Sequence, residues 1–188
     1  MGPREIADVC SNLSKLSLGA PTGLSKGNLK KCGLPYDGQP LGLRLEGEVA
    51  FAPSVYQGTG EEARKGIVFR LSDSDFASFQ ALEEWCKQAL QAQTPNVETL
   101  WSASSKLTEK WGGQLRAKIN VHGPYCAIFY DDNRQPCKAP QDWKGLRISV
   151  LLEVRGCYVQ RNSAGLLLDV THLRHGEPPE GAEVECPI

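Results

Sequence analysis

The stretch Leu115-Arg116-Ala117-Lys118-Ile119-Asn120-Val121 alternates apolar and polar residues without a break. Successive side chains on a strand point to opposite faces, so one face of this segment must be buried. The other carries Arg116, Lys118 and Asn120 outward. A helix would scatter the same residues around its circumference. The segment therefore reads as a half-buried strand that needs a sheet and a core to lie against.

Other segments supply them. Leu41 to Phe51 alternates in the same way, with Leu41, Leu43 and Leu45 set against Arg44 and Glu46, and Gly47 marking a bulge or bend. Ile67 to Leu71, Tyr125 to Tyr130, Leu146 to Gln160 (bent at Gly156) and Leu166 to Leu173 read as further strands. One helix interrupts them. Ser72-Asp73-Ser74-Asp75 is a start signal, Phe76, Phe79, Leu82, Trp85, Cys86 and Leu90 share a face, and Pro95 closes it. Leu100 to Trp111 reads as a partly helical link ended by Gly112-Gly113.

Residues 1–40 are rich in Gly, Pro, Ser and Lys and read as an irregular basic arm. Within it Ile6, Val9, Leu13 and Leu16 have helical spacing, which suits a cap on the core or a docking peptide. Residues 176–188 read as a polar, acidic tail, leaving 41–175 as the folded domain. The expected class is mainly β with an inserted helix (α+β). An oligonucleotide-binding (OB)-like Greek-key barrel with an N-terminal arm and an acidic C-terminal tail fits the order of elements. A β-sandwich fits the strand count nearly as well.

The chain has 188 residues and a formal net charge of -1, so any role in holding anions must rest on local clustering. Clustering is present. Basic residues gather at Lys26 to Lys31 and from Lys106 to Arg155, whereas acidic ones gather at Glu61-Glu62, Asp73 to Asp75, Glu83-Glu84 and the tail. The seven cysteines are scattered, form no CxxC pair and follow no signal peptide, which reads as free thiols in a reducing compartment, nucleus or cytoplasm. No apolar run approaches the roughly 20 residues of a membrane span.

Catalytic signatures are missing: no GxSxG, Walker or GxGxxG loop, HExxH, or cysteine–histidine pattern occurs. Asp131-Asp132 could hold magnesium, but Asp-Asp-Asn-Arg between two strand-like runs fits a hairpin turn better. His172 and His175 lack a matching cysteine pair and read as structural or solvated. An enzyme, a metal and a cofactor are all disfavoured.

A cationic strand face interleaved with aromatics suits single-stranded nucleic acid, because cations take phosphates and flat rings take bases. The candidate phosphate contacts are Arg116, Lys118, Arg134, Lys138, Lys144, Arg147 and Arg155. The candidate stacking rings are Phe129, Tyr130, Trp143 and Tyr158. Trp143 lies in a polar loop between Lys138 and Lys144 and suits either stacking or packing over the barrel end. Trp85, Trp101 and Trp111 read as core or as packing beneath the sheet. The plain alternative is a solvated cationic surface over an ordinary core.

The order of Val68-Phe69-Arg70-Leu71, the helix, Leu100-Trp101, Leu115 to Ile119, Ile128-Phe129-Tyr130-Asp131-Asp132, Gly145 to Ile148, Val154 to Val159 and Gly165 to Val170 resembles one family. It is similar in layout, over roughly residues 41 to 175, to the single-stranded DNA-binding proteins of nucleocytoplasmic large DNA viruses, or to a cellular or transposon-borne relative. The resemblance implies an OB-type protein that coats exposed strands during replication or repair without catalysis or cofactor. By position it singles out Lys118, Phe129, Arg147 and Tyr158. Two features depart from the pattern: Cys157-Tyr158 replaces an apolar–aromatic pair, and the arm up to Pro40 has no counterpart.

The expected function is thus a non-catalytic, sequence-tolerant single-strand binder, of DNA or RNA. The acidic tail would shield the groove or recruit replication or repair proteins. The rivals are a protein-interaction β-domain and a metal-dependent nuclease using Asp131 and Asp132.

Overall fold

The structure, a computed structural model, describes residues 3–23, 29–54 and 64–176. Half of the basic run Lys26 to Lys31, most of the loop Pro53 to Lys65 and the acidic tail beyond Gly176 lie outside the described residues. Strands dominate. In chain order the elements are β1 (Arg4–Glu5), α1 (Ile6–Cys10), β2 (Thr22–Gly23), β3 (Lys30–Cys32), β4 (Leu41–Ser54) and β5 (Arg64–Arg70). Then come α2 (Asp73–Gln91), α3 (Val97–Leu100), β6 (Ser105–Thr108), β7 (Gly112–Asn120), β8 (Ile128–Tyr130), β9 (Pro136–Cys137), β10 (Arg147–Gln160) and β11 (Ser163–His175).

Five of these strands pair in a closed cycle. The first part of β4 pairs antiparallel with β10, and its last part with β5. β5 pairs antiparallel with β7, β7 runs parallel to β11, and β11 returns antiparallel to β10. Gly47 sits where β4 passes from one partner to the other. A Cβ there would collide with the Arg70 carbonyl, so the position demands glycine, while the register shifts of β4 come later, from Val49 on. Gly156 marks a second such place, with φ of 125° and the Cys32 carbonyl where a Cβ would be. β3 can therefore pack onto β10 only because residue 156 is glycine.

The alternation in β7 puts Leu115, Ala117 and Ile119 in the core, each no more than 3% exposed. From β10 come Ile148, Val150, Leu152 and Val154, and from β11 Leu166, Leu168 and Val170. α2 starts where expected: the Ser72 hydroxyl accepts the Asp75 N–H at 3.1 Å, and Asp73 and Asp75 sit at the positive end of the helix dipole. Its buried face is Phe76, Phe79, Leu82, Glu83, Cys86 and Leu90, with Trp85 only half-buried. The helix ends at Gln91, before Pro95 is reached. The link to β7 holds a single helical turn, α3, and the strand β6, which pairs with β7.

Described residues among the first 40 contribute to the common core and sheet. Ile6, Val9, Leu16, Leu34 and Tyr36 are buried in the common core, β1 runs parallel to β4, and β3 extends the sheet beside β10. The apolar residues scattered among Gly and Pro find buried places that composition alone does not reveal. The strand expected from Tyr125 is also shorter, since regular pairing begins at Ile128. Six cysteines are free thiols, and Cys186 lies outside the described residues. Among the described residues no helix is long and apolar enough to cross a membrane.

Candidate nucleic-acid interface

Register partners in a sheet point to the same side, so the outer face can be read directly from the pairing. Arg116 faces Val68 on β5, and Val68 faces Phe51 on β4. One step along, Lys118 faces Gly66 on one side and Asp169 of β11 on the other. Arg64 lies opposite Asn120 at the end of β5. A β-bulge at Arg155 adds a residue to β10 and leaves Arg155 exposed near Asp169.

Asp169 organises this patch. Its carboxylate accepts a hydrogen bond from Arg64 Nη2 at 2.6 Å and forms an ion pair with Arg155 Nη1 at 3.2 Å, with only 14% of its side chain exposed. Glu153 lies 3.6 Å from the Arg155 guanidinium. Four cations, Arg64, Arg116, Lys118 and Arg155, thus surround two carboxylates. Lys118 registers the excess: burial first, then repulsion from Arg116 and Arg64, holds its ammonium below the ordinary lysine range, and Asp169 offsets this only in part.

A groove of about 430 Å³ runs beside these residues, lined by Arg64, Arg116, Lys118, Tyr158, Gln160 and the Leu166–Leu168 segment. Tyr158 is half-buried and leans over its register partner Gly165, where a Cβ would come within 3.2 Å of the ring. The opposite wall is Ser102 to Ser104. That segment is held by Glu83 on α2, whose carboxylate accepts the Ser104 N–H at 2.6 Å, the Ser105 N–H at 3.2 Å and the Ser105 hydroxyl. Burial pushes the Glu83 carboxyl above the usual carboxylate range, and these hydrogen bonds partly counter it.

The residues singled out from the sequence fall into separate groups. Arg116, Lys118, Arg155 and Tyr158 come together on the face just described. Tyr130 and Arg134 line a second cleft, on the far part of the β10–β11 pair. Lys138, Lys144 and Arg147 are exposed on the loop after β9 and at the start of β10, and line neither groove. Phe129 and Trp143 need correction. They are 4% and 9% exposed and pack edge to face at 6.0 Å, so neither ring offers a face to a base. The polar loop around Trp143 buries its one large apolar side chain against Phe129.

Two members of the face were not anticipated. Phe51 is 56% exposed because the pairing shifts between Val49 and Phe51, which turns an inward position outward. Arg64 was read as part of a loop, yet it begins β5. The exposed aromatic at the end of an alternating run, and the basic pair Arg64-Lys65 before an apolar run, were the signals available.

Asp131-Asp132 forms the expected turn. β8 and β9 pair around it, the Asp131 carboxylate accepts the Gln135 N–H at 2.8 Å, and Arg134 takes φ of 61°. Among the described residues no cluster of His, Cys, Asp or Glu could hold a metal ion.

No family model and no curated protein sequence matches the chain. Solved structures do. The fold is similar to gp2.5, a single-stranded DNA binding protein encoded by bacteriophage T7, with a TM-score of 0.55 and 9% identity over 74% of this chain and 87% of that one. It is also similar to a C-terminal truncation of the single-stranded DNA-binding protein from bacteriophage Enc34, with a TM-score of 0.51 and 10% identity over 89% and 98% of the two chains. At such identities the likeness is one of fold, and these two neighbours are phage proteins, not proteins of large nucleocytoplasmic DNA viruses.

Proposed function

We propose that this chain is a non-catalytic binder of single-stranded nucleic acid. The closed cycle β4-β5-β7-β11-β10 has the connectivity of an OB-type Greek-key barrel, in which β5 and β7 are the second and third strands. In that barrel the outer face of the second and third strands carries oligonucleotides. Here that face holds Arg64, Arg116 and Lys118, and this coincidence is the observation that carries the reading. Phosphates would sit on these residues and Arg155, while Tyr158 and Phe51 offer rings to bases. The phage proteins of similar fold bind single-stranded DNA according to their descriptions, which supports the same assignment.

The test is fluorescence anisotropy with labelled single- and double-stranded oligomers over a salt series. Binding that favours the single strand and weakens steeply with salt supports the reading. Equal or absent binding refutes it.

A protein-binding role has one observation in its favour. Tyr125, on the β7–β8 connection, and Ile128, at the start of β8, are 84% and 46% exposed. A protein partner held by these apolar side chains would stay bound at high salt.

A further inference from the structure

The second cleft has a volume of about 590 Å³ and lies on the outer surface of β4, β10 and β11, away from the face of β5 and β7. Arg44, Arg134 and Arg174 line it, together with Tyr130 and His172. The two rings are parallel to within 6°, with centroids 6.3 Å apart. Arg44 and Arg174 have carboxylate neighbours only at 3.4 Å (Glu5) and 4.0 Å (Glu46), with 55% and 36% of their side chains exposed. Arg134 is exposed in the β8–β9 turn, and no ion pair is formed by it among the described residues.

We propose that this cleft is a second strand-binding segment, engaged by single-stranded nucleic acid that has already filled the β5–β7 face; the inference rests on that reading. The two segments share one surface. On the outer side of the β10–β11 ladder, Leu151 lies opposite His172 and Tyr158 opposite Gly165. Seven residues of strand separate the two places, roughly 23 Å at about 3.3 Å per residue. At a stacked spacing of about 3.4 Å that distance takes about seven nucleotides. Glu153 and Asp169 lie opposite each other between the two places, with Arg155 of the first face beside them, so a strand leaving Tyr158 would pass Arg155 before it reaches the arginines of the cleft. An acidic peptide would need only the three guanidiniums. Flat parallel rings beside them favour a ligand that has both phosphates and bases.

The experiment compares labelled oligothymidylates of about 4 and about 20 nucleotides, the first too short to bridge the gap, the second long enough to fill both segments. The variants are Arg44→Ala combined with Arg174→Ala, and Tyr130→Ala, each checked for native melting. The proposal expects the short oligomer to keep its Kd within about twofold and the long one to lose about tenfold or more, with Arg44→Lys and Arg174→Lys restoring part of it. Undiminished affinity for the long oligomer in the folded variants overturns the proposal while leaving the first face intact. Loss of the long oligomer in Arg44→Ala/Arg174→Ala but not in Tyr130→Ala, with displacement by oligoglutamate, would reassign the cleft to acidic peptides. If the wild-type protein binds neither oligomer, both readings fall together.

Discussion

Asp169 accepts a hydrogen bond from Arg64 at 2.6 Å while facing Lys118 across the parallel pairing of β7 and β11. One carboxylate thereby holds a guanidinium in place and partly neutralises an ammonium that its other neighbours repel. The arrangement keeps four cations close together on one sheet face without a bound anion, and leaves the patch short of negative charge. Under the proposed function, a phosphodiester strand would supply what is missing.

Removing that carboxylate should therefore favour ligand over fold. Asp169→Asn is expected to steepen the salt dependence of oligonucleotide binding and to raise affinity at low salt. Because Arg64 and Arg155 are about half exposed, the loss of stability should not exceed about 1 kcal/mol. Weaker binding with an unchanged salt slope would mean that Asp169 matters for aiming the arginines and not for the charge balance.

The aromatic assignments separate by what each ring contacts. Phe51→Ala should leave the melting temperature close to wild type and cost about 1–3 kcal/mol of single-strand affinity. Trp143→Ala should do the reverse, destabilising the fold by about 3–5 kcal/mol while the folded fraction binds normally. Thermal melts combined with anisotropy distinguish the two, and a folded Trp143→Ala protein that binds poorly would return that ring to the interface.

How much of this was legible in the sequence depends on what each residue needed. The alternation of β7 and β10, the cap of α2 and the Asp131 turn are local signals, and local chemistry decided them. Phe51 was not legible, because its direction depends on a register shift that only the pairing with β5 creates. Trp143, between Lys138 and Lys144, suited either stacking or packing, and Phe129 was chosen for its place in the order of elements, but apolar area outweighs a polar neighbourhood once a core edge lies within reach. Arg64 and Asp169 are 105 positions apart, and no periodicity links them. The face is a product of long-range pairing, which brings β7 beside β11.

Register itself can be tested by charge. Val150→Asp places a carboxylate where 1% of the residue is exposed and should unfold the domain, at a cost of several kcal/mol. Ser149→Asp, one position along and outward, should fold. Its carboxylate would enter the second cleft and weaken binding of long oligomers in particular. Equal urea midpoints for the two variants would contradict the register.

Glu83 predicts a pH effect. Its proton is held more tightly in the folded chain than in the unfolded one, so its contribution to stability is complete at low pH. That contribution is lost as pH rises from roughly 4.3, the unperturbed glutamate value, through the higher folded value. Glu83→Gln should flatten this part of the stability profile, measured by urea melts between about pH 4 and pH 8. Parallel profiles for variant and wild type would show that Glu83 titrates alike in both states.

The most direct test of the central claim is the salt slope of single-strand binding in Arg116→Gln combined with Lys118→Gln. Both side chains lie on the outer face of β7, so the fold should hold. The slope of log affinity against log salt should fall by about 0.7 for each phosphate contact removed, close to 1.4 for the pair, and affinity should drop with it. A folded double variant with wild-type affinity and wild-type slope would contradict the account, because the β5–β7 face could not then be where the strand is held.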